Sequence, residues 1–161
     1  AGGASVAWGK YENTFREVGT RYGVDPYLLA TMAGLESGGD PNAVGTTDDA
    51  GLMQFISPTW NEVMPGYDLD DRFDPELSIE AAGKYLRRLS LSADGDLDVA
   101  VQSYNAGLGN VMRAIRNEQP LNRSRYYLPT VVTARALFEQ GLADESSTPG
   151  MLNNAIDRAG E

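Results

Sequence analysis

A short mark recurs along this chain: a residue able to cap a helix, followed at once by proline. It stands at Asp25-Pro26, Ser57-Pro58, Asp74-Pro75 and Thr148-Pro149. Proline is excluded from helix interiors, but at the first helical position its missing N–H costs nothing and its φ is already helical. An Asp, Ser or Thr oxygen just before it accepts from the amides of the first turn. The pattern predicts helices starting near 26, 58, 75 and 149. Asp96 is placed to cap another over Leu97–Ala106, broken by Gly107 and Gly109. Tyr11, Phe15, Val18 and Tyr22 recur at helical spacing and predict a helix over about 11–22. Further helices are expected over Asn110–Asn117 and about Arg125–Gln140, with Gly141 as a stop, and a short one carrying Met151, Leu152, Ala155 and Ile156. No segment alternates with period two. The expectation is a mainly α single domain with loops near 38–56 and 64–73, and 161 residues suffice to bury a core. Ala1–Ser5 is rich in Gly, Ala and Ser. Residues 1–10 therefore read as a linker or flexible N-terminus and 11–161 as the domain.

The chain has no Cys and no His. That removes disulfides, thiol nucleophiles, Ser-His-Asp triads and the commonest metal ligands. Any acid–base chemistry falls to Asp, Glu, Lys or Tyr. The net charge of -10 disfavours binding to nucleic acid and attraction to anionic surfaces. No apolar run is long enough to span a bilayer, so membrane insertion is not expected. No signal peptide is found and the first residue is Ala, which leads us to expect a processed product or an excised domain, monomeric in isolation.

Among the carboxylates, Glu36 is singled out by its place. It lies four residues after Met32 and seven after Leu29, on the apolar face of the helix that starts at Pro26, and Gly38-Gly39 then ends that helix. Burial and the partial negative charge of a helix C-terminus both disfavour its ionised form, which suits a general acid. A surface Glu in a last turn fits the same pattern. Gly51-Leu52-Met53-Gln54 follows the loop, its glycine permitting close backbone approach and its glutamine offering a donor and an acceptor. Ser103-Tyr104-Asn105-Ala106-Gly107 ends a later helix with a phenol and an amide, groups suited to sugar faces and N-acetyl groups; a core Tyr and a helix-ending Asn fit it too.

Glu36-Ser37, Gly51-Leu52-Met53-Gln54 and Tyr104-Asn105-Ala106-Gly107, in this order and spacing, resemble the SLT-type lytic transglycosylase domain. The resemblance covers about 24–132. It extends to Asp40-Pro41-Asn42-Ala43-Val44 and to Tyr127, which is similar to the Tyr of the family's late Glu-Thr-x-x-Tyr-Val motif. It implies a goose-type lysozyme-like fold with a glycan-binding groove, and cleavage of peptidoglycan glycan strands without a cofactor or metal. Glu36 would be the acid and base, and Ser37, Gln54, Tyr104, Asn105 and Tyr127 would bind or orient the sugars. The chain departs from the family at Gly45, where Ser is frequent, at Ile56, where some members have Met, and at Arg123-Ser124, where the late Glu-Thr pair would fall.

Two alternatives stand beside this. Goose-type lysozymes carry aspartates in the loop between the Glu and the Gly-Leu-Met-Gln segment, and Asp48 or Asp49 could be a second carboxylate that activates water. A catalytically inactive glycan-binding module is the other. Asp94, Asp96 and Asp98, and Asp68, Asp70, Asp71 and Asp74, lack the glycine and glutamate of a calcium loop and are expected to be helix caps and solvated loops. The domain is expected at the cell envelope (periplasm or cell wall), outside the cell or in a phage virion, tethered within a larger protein or assembly.

Overall fold

The computed structural model describes residues 2–121 and 124–143. Among the described residues seven α-helices follow one another: α1 (Gly3–Tyr22), α2 (Pro26–Ser37), α3 (Ser57–Val63), α4 (Pro75–Ser92), α5 (Leu97–Ala106), α6 (Leu108–Arg116) and α7 (Tyr127–Ala143), with a 3₁₀ turn over Leu69–Phe73 between α3 and α4. The described residues form no strand, only isolated bridges pairing Ala50 with Val44 and with Phe55.

The aspartate–proline marks begin helices as expected. Asp25 accepts from Tyr27 N at 2.9 Å, and Asp74 from Glu76 N and Leu77 N; Pro26 and Pro75 open the first turns. Asp96 accepts from Val99 N, and Asp68 and Asp71 form a reciprocal capping box around the 3₁₀ turn. Ser57 differs, because it is itself the first residue of α3. The carboxylate that meets its amide belongs to Asp48, which accepts from Ser57 N at 2.7 Å and Ser57 Oγ at 2.8 Å. The helix expected at Thr148-Pro149 lies outside the described residues.

The reading of 1–10 as a linker is corrected. α1 runs from Gly3, and Ala4, Ala7 and Trp8 are buried. Trp8 stacks on Phe15 and meets the rings of Tyr27 and Phe138, so the N-terminus is sewn to α2 and α7. Small residues permit this docking: a Cβ on Gly34 would fall 2.3 Å from Ala4 N. The Gly/Ala/Ser composition that suggested a flexible end is a close helix crossing.

α2 is the axis of the molecule. Leu28 through Gly34 are all buried, with α1 and α7 against it, and the buried Thr31 bonds back to Tyr27 O. The amphipathic helix read from the pattern is thus enclosed on every side from Leu28 to Gly34, and its last turn, with Glu36, reaches the surface of the core.

Candidate active site

The site is built where α2 ends. Gly38 takes a left-handed conformation, φ 67°, and its N–H returns to Gly34 O, closing the helix two residues after Glu36 is set on its inner side. The chain then folds as a tight loop to Phe55. Gly45 N donates to Asp49 O, Gly51 N to Ala43 O, and Ala50 and Phe55 exchange both backbone bonds. Gly51 has φ 84°, and a Cβ there would lie 1.9 Å from Arg72 O, so no other residue fits this turn. Gln54 follows at φ 54°, a left-handed conformation that a residue other than glycine adopts at a cost. The buried Arg72 locks the loop from below, donating to Leu69 O, Asp48 O and Phe55 O.

α5 brings the second wall. Tyr104 donates its hydroxyl to Met53 O at 2.9 Å, which ties the Tyr-Asn-Ala-Gly segment to the Gly-Leu-Met-Gln segment. Its ring packs with Phe55 and Tyr85. Between the walls lies a groove of about 320 Å³, onto which Glu36, Asp49, Gln54, Tyr104 and Asn105 all open. The size falls at the low end of small-ligand sites.

Glu36 is the most perturbed acid here. Burial of its carboxyl, and secondarily the negative charge of Asp49, push its pKa up to about 8. Near neutral pH most of it carries its proton. Tyr104 and Tyr127 are held well above the ordinary phenol value, first by burial and then by the charge of Glu36, so both remain hydroxyls. Among the described residues the buried Tyr127 hydroxyl finds no hydrogen-bond partner, nor does Ser103 Oγ on the groove wall.

The residues singled out from sequence divide. Glu36, Gln54, Tyr104, Asn105 and Asp49 share the groove. Gln54 spends both amide hydrogens on Ala43 O and Gly51 O, which leaves its carbonyl oxygen for a ligand. Tyr104 offers its ring, its hydroxyl being engaged. Ser37 is not on the groove wall: its Oγ donates to Ala33 O and accepts from Gly39 N, closing α2. Asp48 is also removed from the pair of possible second carboxylates. It is bonded to Ser57 and held below the ordinary carboxylate range, chiefly by those bonds and then by Arg72. Its neighbour Asp49 faces the groove, with Oδ1 accepting from Thr47 N and Thr47 Oγ1. Gly45 makes room for it, since a Cβ at 45 would sit 2.1 Å from Asp49 Oδ2. Arg123 lies outside the described residues.

Sequence reasoning missed Tyr85 and Arg72. Tyr85 comes from α4, remote from every motif, and its only signal was an aromatic on a helix face. Arg72 was hidden within an acidic run, where a lone cation reads as solvated.

Comparison with known proteins bears on the family and the fold. The transglycosylase SLT domain model matches residues 13–127. The membrane-bound lytic murein transglycosylase F 1 of Alkalilimnicola ehrlichii is 35% identical over 126 residues, covering 74% of this chain and 24% of that protein. The peptidoglycan transglycosylase gp16 of Escherichia phage T7 is 38% identical over 105 residues, covering 63% of this chain and 8% of that protein. A 70-kDa soluble lytic transglycosylase, solved in complex with bulgecin A, superposes with TM-score 0.75 at 22% identity, over 83% of this chain and 25% of that one. That likeness shows the shared fold, an all-α lysozyme-like domain. The chain spans a quarter or less of the length of these relatives. With the family model matching most of its length, from the middle of α1 to the start of α7, the chain belongs to the transglycosylase SLT domain family.

Proposed function

We propose that this domain is a peptidoglycan lytic transglycosylase, cleaving the β-1,4 bond from N-acetylmuramic acid to N-acetylglucosamine and leaving a 1,6-anhydromuramyl end. The observation that carries the reading is the Glu36 carboxyl, on a groove wall and raised to about 8. A general acid must start with its proton at the working pH. Glu36 gives that proton to the glycosidic oxygen as the C1–O bond breaks, and the N-acetylglucosamine leaves as an alcohol. The carboxylate then takes the proton of the muramyl C6 hydroxyl, whose oxygen bonds to C1. The proton is back on Glu36, and no water has been consumed. One carboxyl thereby serves where a hydrolase of the usual kind needs two.

The other groove residues hold the sugars. The Tyr104 ring with Tyr85 and Phe55 forms the apolar wall, and the Asn105 amide and Gln54 carbonyl oxygen meet hydroxyl or N-acetyl groups. Tyr127, a buried hydroxyl with its hydrogen unspent and close enough to feel Glu36, is the donor that steadies the carboxylate formed in mid-reaction. No cofactor enters any step.

The second reading, a hydrolytic muramidase, has one observation in its favour: Asp49 shares the groove with Glu36. In that mechanism Asp49 would take a proton from attacking water. The domain would work in the bacterial envelope or from a virion, carried by a longer protein, as in the membrane-bound and phage relatives. The test is digestion of purified peptidoglycan with products read by mass spectrometry. Anhydromuramyl ends from the wild type, and their loss in a folded Glu36→Gln variant, support the proposal. Reducing ends would favour the muramidase, and no cleavage would leave a glycan-binding module.

A further inference from the structure

A second cavity, of about 550 Å³, adjoins the Glu36 groove, with Asn105 and Ala106 lining both. The two differ in charge. The groove presents Glu36 and Asp49 and, among its described lining residues, no cation. The adjoining cavity presents Arg113 and, among its described lining residues, no carboxylate. Arg113 is exposed on α6 yet oriented: its Nη1 donates to Asn110 Oδ1 at 3.0 Å, and Asn110 Nδ2 donates to Ala106 O at 2.8 Å. This strut fixes the guanidinium to the backbone shared by the two cavities. Arg16, Arg21, Arg72, Arg88 and Arg135 each meet a carboxylate within 4.0 Å; among the described residues Arg113, like Arg87, Arg116 and Arg125, meets none, and of these four it alone lines the cavity. In a chain of net charge -10, this is a cation placed and left without a counter-ion.

We propose that this cavity receives the acidic peptide stem of the muramyl residue, with Arg113 gripping a stem carboxylate. The proposal rests on the reading of the Glu36 groove as a peptidoglycan-cleaving site. The stem branches from the muramyl lactyl group, so a glycan lying along the groove must send it sideways. Its free carboxylates are repelled by Glu36, when ionised, and by Asp49, and drawn to Arg113, the one cation among the described residues of either wall. An arginine fork matches a carboxylate with two parallel bonds, and the Asn110 strut reduces the freedom lost on binding. The amides of Asn117 and Gln119, on the same wall, suit the peptide groups of the stem.

The experiment compares kcat/KM on glycan strands bearing tri- or tetrapeptide stems with kcat/KM on the same strands stripped of stems by an amidase. The wild type is expected to prefer the stem-bearing strands. Arg113→Gln should lower the stem-bearing to stem-free ratio by about ten-fold or more, through KM rather than kcat, and Arg113→Glu should lower it further. Arg113 is exposed and holds no core contact, so both variants should keep the wild-type melting temperature. A wild type that treats the two substrates alike, or an Arg113→Gln variant with the wild-type ratio, overturns the proposal while leaving the glycan chemistry intact. A wild type that cleaves neither substrate removes the glycan chemistry itself, and this proposal with it.

Discussion

Glu36 burdens the fold that holds it. Its folded pKa of about 8 lies above the ordinary 4.5 because burial and Asp49 disfavour the charged form. The folded state therefore holds the proton more tightly than the unfolded chain. The stability this confers is fully present below pH 4.5 and is lost as pH rises through 8. Glu36→Gln keeps the size and cannot ionise, so its stability relative to wild type should grow over that window, reaching about 1–3 kcal/mol at pH 8 and vanishing near pH 4, as read by urea unfolding at the two pH values. The same variant should lose at least about 10²- to 10⁴-fold in turnover. Wild-type turnover should fall as pH rises through 8, where the acid starts without its proton. Asp49→Asn removes the charge that helps raise Glu36, so this alkaline limb should move to lower pH while turnover at pH 5 persists; a pH–rate profile checks it. Loss at every pH would instead make Asp49 the base of a hydrolase. Glu36 was legible in the sequence because a helix period and two terminal glycines fixed its face. The choice between Asp48 and Asp49 was not. It turns on the left-handed backbone of Asp48, φ 70°, and on the distant Ser57, which adjacent letters cannot show.

The elements around the site differ in how far local sequence dictates them. Asp25-Pro26, Asp74-Pro75 and Asp96 announced α2, α4 and α5 because cap chemistry is local. The loop 38–56 was recognised as a loop, but its shape was not, since it depends on Arg72 beneath it. Gly51 is the residue on which that shape rests. Gly51→Ala meets both a left-handed backbone and a carbonyl 1.9 Å away, and should cost at least about 2 kcal/mol, seen as a lower denaturant midpoint, with turnover falling as the groove wall shifts. Arg72→Met should loosen the same wall by freeing three backbone carbonyls, with KM rising. The full enclosure of α2 escaped the periodicity because Ala30, Thr31, Ala33 and Gly34 are small enough to admit neighbours on every side.

At the scale of the molecule, the mainly α architecture followed from the density of helix starts and the absence of alternation. The N-terminal boundary did not follow, because a run of small residues describes a flexible tail and a close helix crossing equally well. Deleting residues 1–10 should therefore be costly. It strips Ala4, Ala7 and Trp8 from the core and uncovers Phe138 and Gly34, and removing the tryptophan side chain alone is worth about 3–5 kcal/mol. A truncated domain with an unchanged unfolding curve would restore the linker reading. The net charge of -10 fits a domain that would reach its target through its groove rather than by general attraction to an anionic surface. No described helix is long and apolar enough to cross a membrane. The central claim is that the substrate's own C6 hydroxyl, not water, closes the reaction at Glu36. Digestion of peptidoglycan in heavy-oxygen water tests it most directly. The account predicts anhydromuramyl products with no heavy oxygen at C1, and reducing muramyl ends carrying the label would contradict it.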